Sequence, residues 1–325
     1  MSVLTFVEVA EGKVKKSSLE AAAYASKTAE GAGVESVAVV LGEASADELA
    51  ALGKVGVKKV LHANDNRFNG FDSKLFAKAA AEAAEKAGAT LVVVSFNQNG
   101  KLLAPRIAVR LSAGYVPGAA ELPVLSGDTL SVKKSVFSGK ASATYQIATA
   151  KKVVALTPNS FPIVKGEGTA AVEAFAPSVS DADFTVKVKG VEKVTGTIPL
   201  TEAELVVSGG RGLKGPENWW MVENLATELG AATACSRAVA DVDWRPHHEH
   251  VGQTGFTVRP NLYIAVGISG AIQHLAGVNQ SKVIVVINND PEAPFFKAAD
   301  YGIVGDAFEV MPKFIEEYKK FKSAH

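Results

Sequence analysis

The chain has 325 residues, 47% of them hydrophobic, and its 34 basic side chains are matched by 34 acidic ones. A chain of this length buries about three quarters of its unfolded surface and sits where one core tends to split, so two domains are expected. Cancelling charge excludes a global field that would recruit nucleic acid or an anionic membrane, and a single cysteine, Cys235, excludes an internal disulfide framework.

Cys235 reads as a small buried hydrophobe in a reducing compartment. No apolar run reaches the roughly 18 residues of a membrane span, and MSVLTFVEVAEGK enters a strand without a signal or transit pattern, so a cytoplasmic protein is expected.

Val3 to Val9 reads as the first strand. Ser17 to Glu20 has the spacing of a capping box, opening a helix that stops near Gly31 to Gly33. A strand from Ser36 to Leu41, a second capping box at Ser45 to Glu48, a helix ending near Gly53 and a strand from Val57 to His62 extend the pattern to β-α-β-α-β. Asp72 caps an alanine-rich helix through Ala87. Thr90 to Phe96 is the next strand and Leu102 to Leu111 the helix after it, with Arg106 and Arg110 one turn apart on one face. Right-handed crossovers then give a parallel sheet with helices on both faces. The polar loop Asn97 to Lys101 stands at a strand's carboxyl end but lacks phosphate-cradling spacing, so this half reads as a scaffold or docking surface.

From Gly127 the pattern changes. Thr129 to Phe137 and Lys140 to Ala148 alternate around a Ser138-Gly139 turn, which makes a hairpin, and Lys151 to Leu156 adds a core strand. Thr185 to Val194 is extended and charged at every second residue. The polar stretch Gly190 to Leu200 is the domain boundary, dividing the chain into 1–195 and 196–325.

In the second half Glu204 to Val207 is a strand, and Pro216 stands at the first position of a helix that Gly230 ends. Gly210, Gly212 and Gly215 satisfy the dinucleotide spacing G-x-G-x-x-G between that strand and that helix. The next strand, Ala231 to Ala234, delivers Ser236 and Arg237 where an NAD site would carry an acid, so an NADP-type oxidoreductase is one reading of this turn. His247, His248, Glu249 and His250 lack the spacing of a metalloprotease helix, and a loop between Pro246 and Gly252 need not bring them together, so no metal is assigned. Trp219 and Trp220 diverge by about 100 degrees on a helix, which favours packing over ring stacking on a ligand.

The most informative stretch is Leu262 to Asp290. Leu262 to Gly267 and Lys282 to Ile287 are continuous Val/Ile runs of the kind buried on both faces of a parallel sheet. Ser269, Gly270 and Asn288 stand at the carboxyl ends of these strands, where open α/β sheets bind ligands. Gly270 would let backbone approach a ligand, and a helix starting near Ala271 carries Gln273 and His274 in its first turn.

VGISGAIQHLAG followed by INNDPEAPFFKAADYGIVGD closely resembles the C-terminal flavin-binding signature of the electron-transfer flavoprotein alpha subunit family. VVSGGRGLKG, CSRAVAD and VGQTG support the resemblance upstream, in the family's order and at about its spacing. It implies an α/β chain of two domains: an N-terminal parallel-sheet domain with a hairpin extension, and a C-terminal doubly wound domain that binds FAD. It further implies that Arg211 and the glycine turn serve the pyrophosphate, that Ser236 donates to a phosphate or hydroxyl, and that Arg237 lies by the isoalloxazine, favouring its anionic one-electron-reduced form. His274 would donate toward the flavin C2 carbonyl and Thr254 toward a ring nitrogen, with Val251, Gly252 and Gln253 beside it. Ser269, Gly270, Ala271, Ile272 and Gln273 complete the turn, while Asn288 and Asp306 would hold the adenosine end.

The same resemblance implies an electron carrier without substrate turnover of its own. A beta subunit would be its partner, holding AMP or a second FAD. Donors would be flavin dehydrogenases such as acyl-CoA dehydrogenases, the acceptor a quinone oxidoreductase, and the FAD domain would swivel on the Gly190 to Leu200 linker. A non-catalytic nucleotide-binding module is the remaining alternative.

Overall fold

The computed structural model describes residues 1–186, 188–190 and 198–324. The chain forms two compact units, Met1–Val136 with Lys140–Lys193, and Phe137–Gly139 with Val194–His325. The expected extended stretch Thr185 to Val194 and the boundary Gly190 to Leu200 lie largely outside the described residues.

The first unit opens with β1 (Ser2–Val7), α1 (Lys16–Ala32), β2 (Glu35–Leu41), α2 (Ala46–Ala50) and β3 (Lys59–Ala63). It continues through α3 (Ser73–Lys86), β4 (Ala89–Ser95), α4 (Gln98–Leu111), β5 (Gly114–Ala119) and β6 (Val124–Ser126). The hairpin strands β7 (Thr129–Val136) and β8 (Ala141–Ile147), then β9 (Lys152–Leu156) and β10 (Ala171–Ala174), complete it. Ten strands make one sheet, ordered β8-β7-β5-β9-β4-β1-β2-β3-β10 with β6 beside β7. From β5 to β10 every pairing is parallel, and the hairpin adds antiparallel pairs at one edge. All six residues of β1 are buried, as a strand covered on both faces requires.

Local chemistry departs from the sequence pattern at three places. α1 begins ahead of Ser17 without a side-chain cap; Ser18 Oγ instead accepts from the Glu8 backbone N–H, and Glu20 is buried, accepting from the backbone N–H groups of Asn159 and Phe161. Ser45 does cap α2 by accepting from Glu48 N–H, but the Glu48 carboxylate takes the Val14 N–H rather than closing the box. The polar residues Asn97 to Lys101 are the start of α4, with Asn97 Oδ1 accepting from Gly100 N–H at 2.8 Å. Asp72 caps α3 as expected, accepting from Lys74 and Leu75.

The second unit contains β11 (Leu205–Gly209), α5 (Trp220–Leu229), β12 (Ala232–Cys235), α6 (Arg237–Ala240) and β13 (Leu262–Val266). After these come α7 (Ile272–Val278), β14 (Val283–Asn288), β15 (Tyr301–Val304) and α8 (Ala307–Ala324). Its five strands are parallel in the order β12-β11-β13-β14-β15. This is the 2-1-3-4-5 arrangement of a doubly wound sheet, whose topological switch lies between its first and third strands, β11 and β13. β13 alternates between two cores, Ile264 and Val266 facing one and Tyr263 and Ala265 the other. Pro216 opens a short 3-10 turn and α5 starts only at Trp220; Gly230 ends it in the left-handed region at φ 65°. Trp219 is buried and Trp220 is exposed. Among the described residues no helix is long and apolar enough to cross a membrane.

Candidate cofactor site

Beyond the carboxyl ends of β11 and β13 lies a cavity of about 580 Å³. All the residues expected at the site line it except Gly270, Ile272 and Asp306. Arg211 comes from the turn after β11, Ser236 and Arg237 from the start of α6, Val251 to Thr254 from the loop before β13, and Ser269, Ala271, Gln273 and His274 from the turn into α7.

The turns interlock through glycine. A side chain on Gly210 would strike Gly267 O at 2.3 Å, and one on Gly212 would meet Gly267 Cα at 2.7 Å, so the strand-end turns pack backbone to backbone. Gly210 N–H donates to Val266 O, Gly212 N–H to Gly267 O, Leu213 N–H to Gly210 O and Gly215 N–H to Leu213 O. These are the donors a phosphate cradle would need, and they are already used. The spacing G-x-G-x-x-G therefore serves turn packing here and lends the NADP-type reading no support.

Gly270 also behaves differently from expectation. A side chain there would meet Phe295 Cβ at 2.4 Å, so its close approach is to Phe295 and not to a ligand. Ile272 is exposed outside the cavity. Asp306 precedes α8, its Oδ1 accepting from Phe308 N–H, with Lys214 Nζ 3.7 Å from Oδ2; it does not reach the cavity. Asn288 lines the cavity, but its side chain is engaged, Nδ2 donating to Ile268 O and Oδ1 accepting from Asp290 N–H, so it fixes the loops on either side.

His274 is buried. Tyr263 Oη and His274 Nε2 share a hydrogen bond at 2.9 Å, and the Phe295 ring meets the imidazole edge-on at 5.7 Å. Burial pushes the His274 pKa down to about 4, the His250 charge adds to the fall, and the Val251 backbone opposes it, so the ring is neutral at physiological pH. Its Nδ1 is buried without a hydrogen-bond partner in good geometry. Arg237 Nε lies 3.2 Å from Asp241 Oδ2, and both side chains are more than half exposed. Ser236 precedes α6 with its hydroxyl unused as a cap.

Several lining residues were not expected: Ala238, Asp241, His250, Ile268 and Asp290. His250 is the informative one, since it stands immediately before VGQTG and seemed to belong to a histidine cluster on a loop. Among the described residues no three His, Cys, Asp or Glu side chains are grouped to hold a metal.

The residues fit an anionic nucleotide cofactor: two arginines, a free hydroxyl, a buried imidazole with one unused nitrogen, and a cavity in the 300–1,000 Å³ range of small-molecule sites. An open parallel sheet with such a crevice at its switch point defines an α/β protein that binds a nucleotide cofactor. The family model of the electron transfer flavoprotein domain matches residues 3–180, and that of the electron transfer flavoprotein FAD-binding domain matches residues 199–279. Electron transfer flavoprotein subunit alpha of Syntrophomonas wolfei is 38% identical over 319 residues, covering 97% of this chain and 98% of the relative. That of Bacillus subtilis is 37% identical over 328 residues, covering 98% and 97%, and that of Pseudomonas aeruginosa is 44% identical over 223 residues, covering 68% and 71%. The chain belongs to the electron transfer flavoprotein family, and it matches the alpha subunits along nearly its whole length. Its role is electron transfer with a bound flavin.

Proposed function

We propose that this chain is the FAD-holding subunit of a two-chain electron carrier in the cytoplasm, with no substrate turnover of its own. The observation that supports this is the gathering of Arg211, Ser236, Arg237, the Val251 to Thr254 loop and His274 around one cavity at the β11/β13 switch point. In this reading 196–325 is the FAD-binding domain and 1–195 the scaffold on which partners dock. A beta-type subunit completes the carrier and holds AMP or a second FAD. Flavin dehydrogenases, acyl-CoA dehydrogenases among them, supply electrons, and a quinone oxidoreductase takes them.

Bound FAD supplies the capacity to accept and release electrons one at a time. The protein's part is to bind and bias it. Arg211, permanently charged, attracts the pyrophosphate, and Ser236 donates to a phosphate or ribose oxygen. Arg237 holds positive charge beside the ring system. Thr254 offers its hydroxyl to a ring nitrogen, and Val251, Gly252 and Gln253 shape the wall beside it. Because Nε2 of His274 is engaged by Tyr263, the donation toward the flavin carbonyl falls to Nδ1. Ser269, Ala271 and Gln273 close the turn, while Gly270, Ile272 and Asn288 act by shaping it. Asp306, beside Lys214 and outside the cavity, is the one expected adenosine contact that this reading leaves without support.

The test is an anaerobic dithionite titration of the chain co-expressed with its beta-type subunit, followed in the visible spectrum. A yellow complex that is reduced in two separable one-electron steps is expected, with the separation diminished by Arg237→Ala. A colourless complex that takes up no FAD overturns the proposal.

A further inference from the structure

The histidine-bearing loop before Val251 is a rigid mount. Arg245 grips the buried Glu249 through two bonds, Nε to Oε2 at 2.8 Å and Nη2 to Oε1 at 2.7 Å, and Thr233 Oγ1 donates to Oε1 at 3.0 Å. Arg245 Nη1 also reaches Glu223 at 2.9 Å, and its guanidinium lies 5.5 Å from the centre of the Trp219 ring. Such a two-pronged pair fixes orientation as well as charge. The next residue, His250, is pinned by a bridge to Cys235 and by Phe256 N–H donating to its carbonyl.

The His250 side chain is turned inward. It is only 8% exposed, lines the same cavity as Arg237, Thr254 and His274, and lies under the turn that follows: a side chain on Gly255 would meet its Nδ1 at 2.8 Å. The charged and titratable groups facing it are Arg237 and Asp241 from α6, His247 from its own loop and His274 from α7. Glu249 is committed to Arg245, the Cys235 thiol is pushed up to about 12 by burial, and His274 is held neutral. That leaves His250 as the group inside the cavity wall best able to change charge near neutrality. Burial lowers its pKa, Asp241 pulls it back up, and Arg237 and His247 push it further down.

We propose that His250 is the proton-accepting residue of this site: held against the cavity on a rigid loop, its imidazole takes up one proton from solvent when the bound flavin gains an electron, and returns it when the electron leaves. The electron comes from the carrier's reduced donor. One N–H bond forms on the ring, no bond in the protein breaks, and the charge added to the flavin is compensated by imidazolium. Linkage makes the effect reciprocal, because negative charge that raises the proton affinity of His250 requires that protonation raise the electron affinity of the flavin. This inference rests on the flavin assignment of the cavity.

The experiment is an NMR pH titration of the histidine rings in the FAD-loaded protein with its partner subunit, oxidised and then dithionite-reduced, with His250→Gln identifying the resonance. The expected result is a rise of at least one pH unit in the His250 midpoint on reduction, a tenfold gain in proton affinity, with the His62 resonance of the first unit unchanged between the two redox states. In parallel, the first-electron potential of the unmodified protein should fall as pH rises through that midpoint, with a slope up to about 59 mV per unit, the one-electron equivalent of a tenfold change. His250→Gln should flatten it. Equal His250 midpoints in both redox states, or a slope that survives His250→Gln, overturn the inference alone. A preparation that binds no FAD overturns the site assignment and this inference with it.

Discussion

The two units place similar crevices on similar sheets and line them with a different balance of charge. In the first unit the chain runs β1, β2, β3 to one side and returns to β4 on the other, so its switch lies between β1 and β4. The residue at the end of β1 is Glu8. Its carboxylate is buried and already satisfied, taking Asn97 Nδ2 and Asn99 Nδ2 at 2.6 Å each and Lys15 Nζ at 3.1 Å. The adjoining cavity, about 1060 Å³, is larger than the one in the second unit, yet Glu8, Glu11, Glu43 and Glu48 line it against Lys13 and Lys15. In the second unit the corresponding turns carry Arg211 and Arg237, and Asp241 and Asp290 line the same cavity. Volume therefore does not mark the flavin site; four glutamates against two lysines line the first crevice, whereas two arginines face two aspartates in the second.

Reversing the charge at Arg211 should give the largest effect. Arg211→Glu would make the second crevice resemble the first, and juxtaposing like charges costs several kcal/mol, so FAD affinity should fall by more than about 100-fold. Arg211 is exposed, so the fold should survive. Flavin content after purification and a fluorescence titration with FAD check this; a fall below tenfold would mean that the arginine contributes little charge to binding.

Acid should separate the units next. The folded pKa of His274 is depressed to about 4, below its unfolded value near 6.5, so its stabilising contribution is complete above pH 6.5 and is lost as pH falls toward 4. A shift of that size corresponds to roughly 3 kcal/mol in the second unit. In the first unit burial raises the pKa of Glu20, which costs stability above its unfolded value and is relieved as pH falls. Hydrogen exchange at pH 7 and pH 5 should show β13 and β14 losing protection while β1 and β2 keep theirs. His274→Asn should flatten the difference.

The contrast between the crevices was only partly legible in the sequence. Continuous Val/Ile runs such as Leu262 to Val266 announce a strand covered on both faces, and the residues after them announce strand ends, so the place of the second unit's crevice was readable, while most of the residues assigned around it came from the family resemblance. Two of the edge strands were not readable. β10 and β15 are short and mostly exposed, with too little apolar pattern to stand out, and Gly and Pro interrupt β5. Polar residues were misread wherever their partner is distant in sequence. Glu20 looked like a cap because Ser17 is local, whereas Asn159 and Phe161, which occupy it, are not. His250 read as one member of a histidine cluster on a loop, because the Arg245–Glu249 clamp beside it becomes visible only in three dimensions. The glycines at Gly210 and Gly212 announced a close approach but not that Gly267, rather than a phosphate, makes it.

Neutralising Glu8 tests the first crevice. Glu8→Gln removes the charge that Lys15 faces and turns an amide NH2 toward one of the two asparagine amides, Asn97 or Asn99, leaving a half-buried donor unsatisfied at a cost of about 1–3 kcal/mol. Denaturant unfolding should register that loss, with FAD content unchanged. A change in FAD content would mean that the two crevices are not functionally separate.

The smallest expected effect comes from Asp241→Asn, which frees Arg237 from its ion pair. Both partners are largely exposed, 64% and 52%, so the pair contributes little to stability and is screened by salt. The charge it neutralises nevertheless faces the cavity. Releasing it should tighten FAD binding two- to fivefold at low ionic strength, about 0.4–1 kcal/mol, and the gain should shrink toward nothing in 1 M salt, where the Debye length falls to about 3 Å. A tightening that persists in high salt would point to a change in the rotamer of Arg237. A loss of affinity would mean that Asp241 is needed to aim the guanidinium, making its position count for more than its net charge.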